Sequence, residues 1–303
     1  MTDLERYFAD FRRNITGINT EIETPYGRRK LVYADWIASG RLYTPIEKRI
    51  SDDIGPMVGN THSESSATGI AMTNAYHHAQ RIVKNHVNAA EDDLLIFTGT
   101  GMTTAIAKLQ RLLGLKVPEQ AFHYCSFTKG EYTKCKDVPN KNRPVVFLTH
   151  TEHHSNHTSW FETLADVVVL EPSPDLKVDP EILKREIVKY KDRPLLIGSF
   201  SACSNVTGYY PPFYELAEVM HQHNGYCFVD FAASAPYVRI DMHPENKMQY
   251  LDAIFFSPHK FLGGPGSAGV LIFNKKLYKN QIPDTPGGGT VKWTNRWGGY
   301  QRY

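Results

Sequence analysis

Cysteine is scarce. The 303 residues contain four, Cys125, Cys135, Cys203 and Cys227, and none forms a CxxC pair. That is too few for a disulfide framework and points to a reducing compartment. An excess of one charge is also lacking: 34 basic against 32 acidic residues leave a formal net charge of +2. Bulk electrostatics therefore predict no nucleic-acid or membrane-surface partner. No apolar run reaches the roughly 18 residues of a membrane span. The first residues, MTDLERYFADFRRN, mix acids, bases and aromatics and lack the apolar core of a signal peptide. Internal repeats and low-complexity tracts are absent too. These absences together predict a cytoplasmic globular protein.

What is present is an ordinary globular composition, 41% hydrophobic and 22% charged, with room for one large domain or that plus part of a smaller one. Residues 2–14 read as a short amphipathic helix with Leu4, Phe8 and Phe11 on one side, and 30–40 as a short strand running into a turn. A helix is predicted over 72–89, a buried strand over 93–99, and a helix after it that Gly114 closes. Residues 115–143 are a polar excursion. Further strands are predicted over 143–150, 165–172, 193–201, 226–234, 251–260 and 267–278, with helices over 179–190 and 214–225. The segment 283–290 is a loop, and no closing element is expected after it. Apolar strands alternating with helices predict an α/β fold: a mostly parallel sheet covered by helices on both faces.

Ligands of such sheets bind beyond the C-terminal ends of the strands. Five predicted strand ends carry TGTGMTT, HTEHHSN, SACSNVTG, DFAAS and SPHKFLGGPG. In GTGMTT, glycines before a helix leave amides free for a phosphate. The motif is no Walker loop and has two of the three dinucleotide glycines; a plain glycine turn with a threonine cap explains it equally well. Lys260 sits at a strand end among apolar neighbours, where desolvation favours its amine and a Schiff base; a surface lysine would merely be solvated. Ser257 and His259 are spare phosphate donors. Asp230 ends an apolar strand, and a buried carboxylate needs a cation such as a protonated pyridine nitrogen; a turn or cap aspartate is the bland alternative. Together these groups suit pyridoxal phosphate.

One pattern invites a metal. His150, His153, His154 and His157 stand at i, i+3, i+4, i+7, one face of a continuous helix. RPVVFLT before them reads as a strand, however, and Ser155 and Asn156 as helix-start residues. The shared face is therefore not expected, and no metal is assigned.

The motifs VYADWIASG, FTGTGMTTAI, THTEHHSNHTSW, SACSNVTG, CFVDFAAS, FFSPHKFLGGPGSAGVLI and GGGTV run in order over about residues 30–291. On them the chain resembles the class V aminotransferase family of fold-type I pyridoxal-phosphate enzymes, in the cysteine desulfurase/selenocysteine lyase-like branch. The resemblance implies that Lys260 is the Schiff-base lysine and proton shuttle, that His153 stacks on the cofactor ring, and that Asp230 pairs with the pyridine nitrogen. It implies that Asn205 binds near the ring oxygen or the substrate carboxylate. Gly101, Met102, Thr103, Ser257 and His259 would hold the phosphate, and Thr290 would reach the phosphate of a partner subunit in a homodimer. The implied organisation is an N-terminal arm (1–29), a large cofactor domain (30–278), and a loop opening a truncated or missing small domain (279–303).

Three departures qualify the resemblance. Ala233 stands where the family has Gln or His near the ring oxygen. Trp36 and Ile37 replace smaller residues near the substrate, where His62 is a further candidate beside a plain loop role. The substrate-carboxylate arginine and the desulfurase cysteine have no counterpart here; Cys203 and Cys227 read as buried structural residues and Cys125 and Cys135 as loop residues. If a second domain is missing, its docking face should be exposed apolar surface. The expected activity is a pyridoxal-phosphate enzyme acting on an amino acid, desulfurase-like, with a sulfur acceptor as further partner. An aminotransferase or epimerase, a non-catalytic or truncated homologue, and a nucleotide-dependent oxidoreductase are the alternatives.

Overall fold

The computed structural model describes residues 2–61, 65–121 and 140–302. Its centre is a seven-stranded sheet. A two-stranded hairpin, β1 (Glu21–Ile22) with β2 (Arg29–Lys30), precedes it. The sheet comprises β3 (Asp93–Thr98), β4 (Val145–Leu148), β5 (Asp166–Val169), β6 (Leu196–Ser201), β7 (Tyr226–Asp230), β8 (Ala253–Phe256) and β9 (Gly269–Asn274). Their order is β3-β9-β8-β7-β6-β4-β5, and β9 alone runs against the others.

The strands are apolar without alternation because both faces are covered. Along β4, Val145 and Phe147 join one core cluster with Leu183, Leu216 and Met220. Val146 and Leu148 join the other with Ile106, Leu109 and Trp160. Helices Pro180–Ile187 and Phe213–Gln222 thus cover the first face, and Met102–Leu112 and His154–Phe161 the second. The doubly covered α/β sheet expected from the sequence is present.

Several local expectations are corrected. Residues 31–40 form no strand. Tyr33 Oη donates to the carbonyls of Asp35 and Ser39, and the Gly40 amide donates to His259 O at 2.8 Å. A Cβ on Gly40 would lie 1.9 Å from Phe261 O, so only glycine lets this loop pack on the Lys260 turn. The helix expected over 72–89 runs Ala67–His86, started by Ser66, whose hydroxyl accepts from the Gly69 amide. Strands β7 and β8 stop at Asp230 and Phe256 rather than at 234 and 260. Asp230 turns the chain by accepting from the Ala232 amide, and Pro258 opens a short 3-10 turn. Helix Thr44–Arg49 lies in a stretch without a predicted element. After the 283–290 loop the chain does form an element, the hairpin β10 (Val291–Thr294) and β11 (Tyr300–Arg302).

The N-terminal helix Asp3–Arg13 is stabilised by a Thr2–Glu5 capping box. Its apolar face is uncovered: Leu4, Phe8 and Phe11 are all exposed. Most of the polar excursion, including Cys125 and Cys135, lies outside the described residues, as does His62. No helix among the described residues is long and apolar enough to cross a membrane.

Candidate active site

The C-terminal ends of five parallel strands open onto one cavity of about 670 Å³. From β3 come Gly101, Met102 and Thr103; from β4, His153; from β6, Asn205; from β7, Asp230; from the turn after β8, Ser257, His259 and Lys260. Loop 31–40 closes one side with Asp35, Ile37 and Ala38. Nine of the ten residues singled out in the sequence therefore meet here. Thr290 does not line this cavity, and its hydroxyl is engaged by Gly287, accepting from its amide and donating to its carbonyl.

At the Gly101 end, the start of helix Met102–Leu112 faces the cavity. Amides at a helix start lack intrahelical partners. Met102 N–H donates to Ser257 Oγ at 2.8 Å, and His259 Nδ1 lies 2.9 Å from Thr100 O. Thr103 Oγ1 meets Ser155 Oγ at 2.8 Å. A Cβ on Gly101 would press on His259 Cε1 at 2.9 Å and on Ser257 Oγ at 3.1 Å, so the backbone must be bare here.

Asp230 is 3% exposed, and the Ala232 amide donates to its Oδ1. Burial pushes its carboxyl up to about 7; the Ala232 hydrogen bond and the Lys260 charge pull it back, while Glu152 pushes it further. Such a group gains from a cation delivered with a ligand. Burial also lowers the Lys260 ammonium, against the opposing pull of Asp230 and Asp35, and so favours the amine. Amine, buried carboxyl and helix start around one cavity fit pyridoxal phosphate.

His153 caps the helix His154–Phe161, its Nδ1 accepting from the Ser155 amide at 3.1 Å. A backbone amide can only donate, so Nδ1 is bare and the neutral ring carries its proton on Nε2. Burial, then the Lys260 charge, hold the ring below its ordinary value, which favours that neutral form. The helix begins at His154, so the four histidines share no helical face. His150 lies outside it with Nε2 3.2 Å from Leu176 O, and His157 packs edge-on against Phe161.

One expectation about an individual residue changes. Cys203 is not inside a strand: it lies past the end of β6 and lines the cavity, its thiol pushed up by burial. Cys227 is fully buried within β7, as expected of a structural residue. Ala233 lines the cavity, so the departure from Gln or His falls at the site itself. Sequence reasoning gave no role to Glu152 or Ser201. The first lies inside a recognised motif with its partners Thr149 and Asn156, but its partner Ser201 is 49 residues away and leaves no local signature.

A family signature described as Aminotransferase class-V matches residues 135–300, more than half of the chain, and the chain belongs to that family. Within it, the similarity runs to proteins named as cysteine desulfurases. A probable cysteine desulfurase of Halalkalibacterium halodurans is 27% identical over 261 residues, 86% of this chain and 57% of that protein. One from Staphylococcus epidermidis is 24% identical over 278 residues, 91% of this chain and 60% of that protein. The apo cysteine desulfurase of Thermococcus onnurineus superposes with a TM-score of 0.70 at 20% identity, over 97% of this chain and 64% of that one. A cysteine desulfurase of Escherichia coli, in an S-sulfonic acid form, gives 0.66 at 20% identity over the same shares. These two structures share the fold. The chain spans less than two thirds of the length of all four.

Proposed function

We propose that this cavity holds pyridoxal phosphate on Lys260, and that the protein acts on an amino acid as a cysteine desulfurase-like enzyme. The observation that carries the reading is the convergence of Lys260, Asp230 and His153 with the Gly101–Thr103 segment on one cavity. Bound there, the cofactor supplies an electron sink for the pair released at the substrate Cα. Lys260 Nζ, favoured as the amine, is the covalent anchor and the group that takes and returns a proton. The Asp230 carboxyl holds positive charge at the ring nitrogen. The neutral His153 ring offers a flat face. Gly101, Met102 and Thr103, with Ser257 and His259, would hold the phosphate. Asn205 is assigned to the ring oxygen or the substrate carboxylate.

Sulfur transfer to an acceptor, a homodimer in which Thr290 reaches the partner's phosphate, and a cytoplasmic location belong to the same proposal. So does the division into an arm (1–29), a cofactor domain (30–278) and a following segment (279–303). The relatives' names support the sulfur transfer, and the sparse cysteines support the location. The test is a titration of the protein with pyridoxal phosphate. A visible absorption band should appear, and Lys260→Ala should abolish it. A colourless protein, or a band that Lys260→Ala leaves unchanged, overturns the proposal.

A further inference from the structure

We infer that Glu152 is a positioning residue, a carboxylate clamp that joins the ends of β4 and β6 to the start of helix His154–Phe161 and thereby fixes the His153 ring at the cavity. The inference rests on the cofactor reading above. Glu152 Oε1 accepts from Thr149 Oγ1 at 2.6 Å and from the Thr149 amide at 3.3 Å. Oε2 accepts from Asn156 Nδ2 at 2.6 Å and from Ser201 Oγ at 2.7 Å. One carboxylate thus joins three segments, adding to the Asn156–Ser199 bonds that already tie the helix to β6.

The orientation of Asn156 is independently fixed. Trp160 Nε1 can only donate, and it reaches Asn156 Oδ1 at 3.3 Å. Ser199 Oγ donates to the same oxygen at 2.6 Å. The amide nitrogen must then face Glu152 and the Ser199 carbonyl. Trp160 itself is fully buried and stacked on Phe228. A rigid chain of bonds therefore runs from the core, through Asn156, to Glu152.

Each carboxylate oxygen faces an obligate donor, the Thr149 amide on one and Asn156 Nδ2 on the other. Only an acceptor at both positions satisfies them. A glutamine must turn its own NH₂ against one of the two. Burial pushes the Glu152 carboxyl up while its hydrogen bonds from Thr149, Ser201 and Asn156 pull it back. His153 follows directly in the chain, held on its other side by the Ser155 amide. Loss of the clamp frees the peptide on which the ring is mounted.

The test uses the full chain with Glu152→Gln, and Ser201→Ala as the milder variant that removes one of four donors. Two readings are taken: the pyridoxal phosphate Kd by fluorescence titration, and the ring ¹⁵N signals of His153 in the cofactor-free protein. Glu152→Gln is expected to weaken binding at least about tenfold, equivalent to ~1.4 kcal/mol. The single-tautomer signal of His153 should give way to a mixture. Ser201→Ala should move both readings the same way by less. Wild-type Kd and an unchanged His153 signal in both variants overturn the inference. If Glu152→Gln does not fold, Ser201→Ala decides on the same readings. If the wild-type chain takes up no cofactor, the cofactor proposal fails instead. The His153 signal then decides alone: a shift in the variants supports the clamp, and no shift refutes it.

Discussion

Replacing Asp230 by asparagine should make the cofactor-free protein more stable and the cofactor bind less well. The Asp230 carboxyl is buried, and its pKa rises from the ordinary 3.8 to about 7. The folded state therefore keeps this proton when the unfolded state has released it. Between about pH 4 and about pH 7 the folded chain binds more protons, so stability falls as pH rises. The full shift corresponds to roughly 4 kcal/mol lost by neutral pH, at about 1.4 kcal/mol per unit. Asparagine stays neutral and keeps an oxygen for the Ala232 amide. Its new NH₂ group, if unmatched, returns about 1–3 kcal/mol of that gain. Urea unfolding of both proteins across the window measures the difference. The wild-type stability should fall relative to Asp230→Asn as pH rises, while the pyridoxal phosphate Kd of the variant increases. Parallel stability curves would refute the argument that this carboxyl is held up by burial.

Gly101→Ala should weaken pyridoxal phosphate binding while leaving urea stability within about 1–3 kcal/mol, since its Cβ would crowd His259 and Ser257. Phosphate-bearing and phosphate-free pyridoxal should then differ less in Kd than they do for wild type. Asp284→Asn should loosen the loop before Thr290, because Asp284 pairs with Lys108 at 2.7 Å and Arg111 at 3.1 Å. Those bonds and charges hold its carboxyl below the ordinary value despite burial. The contribution is present above the unfolded value and is lost as pH falls through the lower folded one, so limited proteolysis near the loop should speed up in the variant at neutral pH and differ least in acid. Phe147→Ala, at a fully buried β4 position, should cost about 3–5 kcal/mol in urea unfolding.

The sheet was legible because its strands are continuous apolar runs, and burial on both faces requires nothing subtler. The site was largely legible for a related reason. A parallel sheet delivers its strand ends to one edge, so Gly101, His153, Asp230 and Lys260 could be expected together from chain order alone. What escaped depends on contacts between distant segments. Loop 31–40 looks like a strand until Gly40 docks on the His259–Phe261 backbone. Cys203 reads as a buried structural residue, yet it lies past the end of β6 and lines the cavity. Glu152 draws its partners from Thr149, Asn156 and Ser201, and the last is 49 residues away. Helix Thr44–Arg49 is too short for its periodicity to stand out. The β10–β11 hairpin has no continuous apolar run, and residues 292–299 within it are all exposed or partly so.

Borohydride reduction of the protein loaded with pyridoxal phosphate, followed by peptide mass mapping, tests the central claim most directly. The account predicts one modified residue, Lys260, and no modification in Lys260→Ala. Label spread over surface lysines, or a single label on any other lysine, would contradict it.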